Sequence, residues 1–268
     1  MPALDTRLNE KDALLLQADK YTFSVLHRIL QGPCDWVRTD HERLILCHSE
    51  ALWPIWIWMP DGASEAERAR AFAIVQDARP LAAGYRYNLK HELAEDFIPR
   101  ARALGVNAGI SMNLLAYACP APVAPAHPAD GQLYVCTEAD VDEAARLLGH
   151  FQTAVQDGQR TEEKNRIKAA DYISHRAFFL WKNREGRTVA CCSCKQDDHL
   201  MSLSSVFTLP AFRRRHYAQS LVYQVTTRVA AMGFEPMLYT DGDYVPSNAC
   251  YEKIGYVRQG SLCTLAAL

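Results

Sequence analysis

The stretch VFTLPAFRRRHYAQSLV, residues 206–222, combines an apolar run, a cluster of basic residues and an amphipathic pattern. The apolar run ends at Thr208 and is typical of a strand, whereas the apolar spacing from Ala218 onward is typical of a helix. Helix N-termini bind phosphate, because their first amides lack intrahelical acceptors and carry partial positive charge. Arginine adds a forked guanidinium group that suits phosphate oxygens. The stretch therefore predicts a strand, a phosphate-binding loop and a helix.

The basic cluster contrasts with the rest of the chain. The 268 residues are 49% hydrophobic and 22% charged, with a formal net charge of -2. This composition is typical of a globular protein with one large domain or two smaller ones. A nearly neutral chain has no general attraction for nucleic acid or anionic membranes. We therefore expect no nucleic-acid partner, since residues 213–216 lack an extended basic face with interleaved aromatic residues.

The sequence also indicates the cellular compartment of the protein. The first twenty residues lack the uninterrupted apolar core of a secretory signal. The longest strongly apolar stretch, 51–60, is about half of the ~20 residues that a membrane helix needs. Nine cysteines in a chain of this length favour a reducing setting. We therefore expect a cytoplasmic protein without a membrane partner.

The cysteine triplet at 191, 192 and 194 raises the alternative of a metal site. Successive residues of a strand point to opposite faces, and no second pair stands at zinc-site spacing. Buried thiols are the better interpretation, because free cysteine behaves as a small hydrophobic residue. No metal is predicted.

A proline-rich segment divides the chain. PAPVAPAHPADG, residues 120–131, contains four prolines, which discourage both helix and sheet. We predict an N-terminal domain over 1–119, a linker over 120–131 and a C-terminal domain over 132–268.

The C-terminal domain predicts a mixed α/β sheet. A helix between two strands that run parallel is expected at 218–232. The other predicted elements are, in order, a strand from 132, a helix over 138–156, strands over 177–181, 188–195 and 200–208, a strand over 237–240, a helix opened by Pro246 and Ser247, and a strand over 256–265.

The N-terminal domain predicts a similar order of elements. An internal structural repeat and two unrelated α+β pieces are the alternatives, and the similarity favours the repeat. The predicted elements are a helix over 11–30, strands over 35–39, 43–48 and 55–59, a helix over 64–78, a strand over 84–89, a helix over 92–104 and a strand over 110–118.

Two segments resemble the acyl-CoA-binding core of the GNAT superfamily of N-acetyltransferases. They are residues 206–222 and SNACYEKIGY, residues 247–256. The chain departs from the family pattern at Arg214 and His216, where the family has glycine. The resemblance covers 132–265 and implies a GNAT acyl-CoA N-acyltransferase fold, here as a tandem pseudo-repeat. The family's phosphate loop corresponds to Arg213, Arg214, Arg215, His216, Tyr217 and Ala218.

The resemblance also implies site roles and acetyl-CoA as the co-substrate. Val206, Phe207 and Thr208 would lie where the pantetheine arm pairs with a splayed strand, and 213–218 would wrap the pyrophosphate. Asn248 would contribute to the cofactor site from the second motif. Tyr251, three residues later and on the same side of a helix, would protonate the departing thiolate. A phenol with a pKa near ~10 keeps its proton for this purpose at neutral pH.

The implied activity is transfer of an acetyl group from acetyl-CoA to a primary amine acceptor, either a small molecule or a peptide. The alternative is a non-catalytic acyl-CoA sensor or interaction module, which the lack of an acid before Val206 favours. Two simpler alternatives also stay open, namely that the arginines are a solvated surface and that Tyr251 is a packed aromatic. The general base is open among Asp197, Asp198, His199, Ser204 and Asp241.

The first half lacks the phosphate loop. The corresponding stretch, DGASEAERARAF at 61–72, is acidic where phosphate would bind. We expect this half to have lost CoA binding, and to cover the sheet edge and shape the acceptor cleft.

Overall fold

The structure is a computed structural model that describes residues 4–155 and 160–268. It divides into two compact units. The first unit runs to Ala116 and includes Asp241–Asp243 and Gln259–Leu268, and the second comprises Tyr117–Thr240 and Tyr244–Arg258. Among the helices of the described residues, none combines the length and apolar character needed to cross a membrane. The functional division at 120–131 stays a prediction.

The first unit is built on a mixed sheet. Strands β1, β2 and β3 are antiparallel neighbours, and β3 pairs parallel with β4. The C-terminal strand of the chain, β11 (Val257–Ala267), pairs antiparallel with β4. The remaining elements are α1 (Glu10–Leu16), α2 (Ser24–Ile29), β1 (Trp36–Thr39), β2 (Ile45–His48), β3 (Ile55–Trp58), α3 (Glu65–Ala78), β4 (Tyr87–Leu89), α4 (His91–Ala103) and β5 (Ala108–Ala118).

The second unit contains a similar mixed sheet. Strands β6 to β9 form an antiparallel series, and β9 pairs parallel with β10. The helix predicted over 138–156 begins as a short 3-10 turn at Glu138–Asp140, and its predicted end at Gln156 lies outside the described residues. The elements are β6 (Gln132–Val135), α5 (Val141–Val155), α6 (Glu162–Ser174), β7 (Phe178–Lys182), β8 (Thr188–Asp197), β9 (Leu200–Thr208), α7 (Tyr217–Ala231), β10 (Glu235–Asp241) and α8 (Val245–Ile254).

The order of elements repeats. Each half contains three antiparallel strands, a helix, a strand that is parallel to the third one, and a second helix. A mixed α/β fold with an internal repeat is therefore confirmed.

Two layers of helices position β8 and β9. Cys191 and Phe207 pack with α5 and α6 in one apolar cluster. Helix α7 packs on β8 and β9 through a buried apolar face that includes Leu221, Val225 and Val229. The cysteine triplet is buried within β8, as expected for structural thiols.

The single N-terminal helix predicted over 11–30 is wrong. The segment forms α1, a 3-10 turn at Gln17–Asp19 and then α2. The Asp19 carboxylate accepts a hydrogen bond from the Trp58 indole at 2.9 Å and pairs with Lys90 at 2.8 Å. These tertiary contacts of Asp19 override the local helix preference around it, because propensity is only a weak determinant.

His41 connects α1 to the turn after β1. Its Nδ1 lies 2.8 Å from the buried Asp12 carboxylate, and its Nε2 lies 3.3 Å from Asp5. Burial alone would lower the pKa of His41, but the hydrogen bonds and charges of Asp12 and Asp5 together raise it above its usual range. His41 also has a φ of 58°, in the left-handed region.

We expect the stability of the first unit to depend on pH through His41. Because the folded pKa is raised, the contribution of His41 is complete below its unfolded pKa of ~6.5 and is lost as pH rises through the folded value. His41→Asn, which tolerates a left-handed backbone, should therefore destabilise the protein more at pH 6 than at pH 8.5. Urea unfolding of both proteins at the two pH values measures this difference. An equal loss at both pH values would contradict the assignment.

Candidate functional site

The strands β9 and β10 separate at their C-terminal ends. Their parallel pairing runs from Leu200 with Glu235 to Leu203 with Leu238. Beyond this point β9 continues to Thr208 and β10 to Asp241, and among the described residues the two strands no longer pair with each other. The facing edges therefore offer backbone amides and carbonyls that an extended ligand can use.

A β-bulge in β9 marks the start of this separation. Phe207 pairs with Cys191 and Ser204 pairs with Ser193, so Ser205 and Val206 stand together opposite Cys192. Ser205 has a φ of 51°. A bulge leaves its extra residue outside the strand ladder and is common next to binding sites. The strained backbone at Ser205 thus lies where the two strands part.

The predicted phosphate loop connects β9 to α7. Arg214 has a φ of 60° and His216, the N-cap of α7, has a φ of 62°. These are the positions where the family pattern has glycine, and glycine is the residue that adopts this conformation without steric cost. The loop backbone thus keeps a glycine-like conformation although both side chains are large.

The amides of this loop are available to a ligand. Helix α7 has no side-chain cap, so its first amides lack acceptors. Within residues 4–155 and 160–268, we find no hydrogen-bond acceptor for the amides of residues 214–216. An anion at this helix terminus would satisfy donors that the protein leaves open.

The three arginine side chains lie exposed around the loop. Arg213 donates from Nε to the Thr208 carbonyl at 3.2 Å, and its guanidinium lies 5.8 Å from the Phe207 ring centre. The guanidinium of Arg215 lies 5.7 Å from the ring centre of Phe212. In the described part of the chain, no carboxylate pairs with any of the three arginines. Their charge is thus free to meet an anion.

The corresponding helix of the first unit is closed by its own side chains. Ser64 is the N-cap of α3, and its hydroxyl accepts from the Glu67 amide at 3.3 Å. The Glu67 carboxylate in turn accepts from the Ser64 amide at 2.7 Å. This capping box occupies the amides of Ser64 and Glu67, and the Glu67 carboxylate is paired with Arg43.

Tyr251 lies in α8, buried with 7% of its surface exposed. Its ring is 5.9 Å from that of Tyr256 in an edge-to-face arrangement. Burial raises the pKa of the Tyr251 hydroxyl, and the thiols of Cys250 and Cys192 raise it further. The hydroxyl has no hydrogen-bond acceptor among the described residues, so its proton is available.

The start of α8 is fastened to the end of β10. The Ser247 hydroxyl lies 2.9 Å from the Thr240 hydroxyl. Asn248 follows in the first turn of the helix, three residues before Tyr251. The first turn of α8, which carries Asn248, therefore lies next to the C-terminal end of β10.

The structure separates the five candidates for the general base. Asp197 ends β8, and Asp198 and His199 form the turn to β9, at the opposite end of β9 from the bulge. Five strand residues, or ~17 Å, lie between this turn and Ser205. Grouping these three residues with the site was therefore wrong. Ser204 adjoins the bulge, where its hydroxyl lies 2.9 Å from that of Ser193, and Asp241 ends β10.

The sequence patterns did not reveal two features of the site. No local pattern distinguishes Ser205 as a bulge residue, because the bulge depends on the register with β8. Asp130 contacts the phosphate loop through Tyr217, and the dipeptide Asp130–Gly131 is a turn signal that could have drawn attention to it.

Part of this chain matches a protein family, and its fold is similar to solved structures. Residues 142–256 match the model of the acetyltransferase (GNAT) family. A GCN5-related N-acetyltransferase from Sphaerobacter thermophilus is 10% identical, with 98% of this chain and 94% of that one covered and a TM-score of 0.72. A Drosophila protein is 13% identical, with 100% and 99% covered and a TM-score of 0.69. A GCN5-related N-acetyltransferase from Kribbella flavida is 18% identical, with 94% and 95% covered and a TM-score of 0.60. The search of curated proteins found no match.

The solved structures show a GNAT acyltransferase fold over the whole chain. Residues 142–256 are a domain of the acetyltransferase (GNAT) family, which confirms the resemblance of the two sequence motifs. Proteins of this family are usually acetyltransferases, so the family match supports acyl transfer in general.

Proposed function

We propose that this chain is an N-acetyltransferase that moves an acetyl group from acetyl-CoA to a primary amine. The observation that carries the proposal is the loop of residues 213–216, whose two left-handed residues present unpaired amides and arginines beside the separated strands. One further atom fits a bound ligand here. The Thr208 hydroxyl oxygen is buried without a hydrogen-bond partner, and such atoms are rare in proteins unless a ligand or water satisfies them.

The geometry supports a direct transfer. The pantetheine arm would pair with the free edge of β9, and the pyrophosphate would accept from the amides of residues 214–218. A backbone amide at the bulge, at Ser205 or Val206, would donate to the thioester carbonyl and stabilise the oxyanion that forms. The amine nitrogen attacks the carbonyl carbon, the C–S bond breaks, and Tyr251 gives its proton to the departing thiolate. The proton that the amine nitrogen loses passes to water, and Tyr251 takes a proton back from water.

The structure favours the second unit as the CoA site. The capping box of Ser64 and Glu67 occupies the equivalent helix terminus of the first unit, so fewer donors remain there for phosphate. We keep the division into a first half over 1–119, a linker and a catalytic half over 132–268 as part of this proposal. The cytoplasm stays the expected location.

A non-catalytic acyl-CoA sensor is the second candidate. The residue before the bulge is Ser204, which faces Ser193, so a hydroxyl pair stands where an acid would serve as the base. Acetyl-CoA consumption with a panel of amines, together with calorimetric titration of CoA, distinguishes the two. Tight CoA binding without turnover on any amine would favour the sensor, and release of CoA with one amine would favour the enzyme.

Arginine removal tests the CoA site directly. Arg213→Ala combined with Arg215→Ala should raise the KM for acetyl-CoA and the Kd for CoA by about ten- to thirtyfold, because each lost charge-assisted contact costs about 1 kcal/mol. Titration calorimetry with CoA measures the Kd.

The matched control removes two other arginines from the same unit. Arg146→Ala with Arg166→Ala produces the same change in net charge, and both side chains make only exposed ion pairs in α5 and α6. This variant should bind CoA like the wild type. Equal affinities of the wild type and both variants would remove the arginines from the site.

A further inference from the structure

The residues just before β6 contact the first turn of α7. The Asp130 carboxylate accepts from the Tyr217 hydroxyl at 2.6 Å and from Arg184 Nε at 2.8 Å. The Ala129 amide donates to the Ser220 hydroxyl at 2.8 Å, and the Trp181 indole donates to the Asp130 carbonyl at 2.7 Å. The end of the proline-rich segment is thus fastened to both β7 and α7.

Tyr217 is the buried anchor of an exposed loop. Residues 213–216 are exposed, whereas Tyr217 retains only 6% exposure and packs edge-to-face with Phe212 at 6.4 Å. Arg214 and His216 hold left-handed conformations that non-glycine residues adopt only where the surroundings fix them. Helix α7 has no side-chain cap, and the exposed His216 makes only a 3.4 Å contact with Gln219 and a ring contact with His127, so Tyr217 provides the buried restraint on the loop.

The protonation states of Asp130 and Tyr217 favour a stable hydrogen bond between them. The Tyr217 hydroxyl, and to a lesser degree Arg184, lower the pKa of Asp130. The hydrogen bond to Asp130, with burial, raises the pKa of Tyr217. At neutral pH the pair is therefore a carboxylate and a neutral phenol, which is the combination that the 2.6 Å distance requires.

We infer that Asp130 and Tyr217 are positioning residues that hold the phosphate loop in its CoA-binding conformation. This inference rests on the proposed function. It predicts that breaking the pair lowers the fraction of molecules with a competent loop. The apparent Kd rises by the inverse of that fraction, so a loop that is competent in ~10% of molecules binds CoA about tenfold more weakly.

The test is Tyr217→Phe, which keeps the ring and its packing on Phe212 but removes the hydroxyl. Its Kd for CoA, measured by titration calorimetry, should rise about tenfold. The matched control is Tyr134→Phe, because the Tyr134 hydroxyl also donates to a carboxylate, that of Asp140, at 3.0 Å in the same unit. The control should bind CoA like the wild type, and equal affinities of the two variants would overturn the inference.

A rescue variant separates positioning from a general loss of stability. Glycine adopts a left-handed conformation without steric cost, so His216→Gly added to Tyr217→Phe should restore the Kd to within about threefold of the wild type. A double variant that binds no better than Tyr217→Phe alone would contradict the positioning role.

The experiments distinguish a failure of the proposed function from a failure of the inference about Asp130 and Tyr217. A wild-type protein that does not bind CoA would refute the proposed function. A wild type that binds CoA as tightly as Tyr217→Phe would refute only the role of the pair. Asp130→Asn provides a second measurement, since its effect should not add to that of Tyr217→Phe if both act through one hydrogen bond.

Discussion

Tyr251→Phe should lower kcat by about 100- to 10,000-fold while the affinity for acetyl-CoA hardly changes, because a positioned general acid contributes that much. The substitution keeps the ring and its packing on Tyr256, so only the proton is lost. Steady-state kinetics with the best acceptor of the amine panel, together with the Kd for CoA, measures the two effects separately.

The surroundings of Tyr251 explain why it is suited to this role. A buried phenol with a raised pKa keeps its proton until a stronger base forms beside it. Burial disfavours a thiolate as it does a phenolate, so the thiolate that leaves acetyl-CoA in the same site becomes basic enough to take this proton. Because the folded pKa lies above the usual value, we expect no decline of kcat from Tyr251 below pH ~10.

The control for this prediction is Tyr256→Phe. Tyr256 neighbours Tyr251, but its hydroxyl is bound to the Thr226 hydroxyl at 2.7 Å. Its removal should cost about 1 kcal/mol of stability with little change in kcat. A loss of kcat below about threefold for Tyr251→Phe would mean that solvent protonates the thiolate, and Tyr251 would then be only a packed aromatic residue.

Gly131→Ala should reduce the free energy of unfolding by about 3 kcal/mol or more, and lower Tm by roughly 6–12 °C. Gly131 has a φ of 89°, and a Cβ there would lie 2.1 Å from the Lys182 carbonyl oxygen and 2.6 Å from the Asn183 Cα. These are backbone atoms of the neighbouring strand end, so they cannot move aside as a flexible side chain would. Thermal and urea unfolding measure the loss.

Gly186→Ala is the control, since Gly186 also has a positive φ, 73°, but a Cβ there meets nothing within 4 Å. It should cost only the left-handed strain of about 1 kcal/mol. Equal losses for the two variants would mean that the chain near Gly131 relaxes away from Lys182. Because Gly131 follows Asp130 directly, Gly131→Ala should also weaken CoA binding beyond the effect of Gly186→Ala.

Most strands and helices could be predicted because their patterns are local. The bounds of β9 agree with the prediction at both ends, and those of α7 and α3 agree within one residue. The broken first helix could not be predicted, because the bonds of Asp19 to Trp58 and Lys90 join residues far apart in sequence. The pairing of β11 with β4 could not be predicted either, because the partners of a strand depend on the assembled sheet.

The candidate site could also be predicted from the sequence only in part. The residues of the loop and of the second motif could be named from two short patterns. Their backbone conformations could not, because Arg214 and His216 do not favour positive φ and only surrounding contacts can hold them there. The base candidates were misplaced because three of them are close to the site in sequence but lie at the other end of β9.

The amino-acid sequence alone indicated the order of the elements, the internal repeat, the candidate phosphate loop and the motif that contains Tyr251, since the elements and motifs rest on local patterns. The tertiary structure alone decided the bulge at Ser205, the left-handed loop, the attachment of Asp130 to Tyr217 and the strand partners of β11. The physical reason is that these features arise from contacts between distant segments, whose free energy exceeds the local preference of each residue.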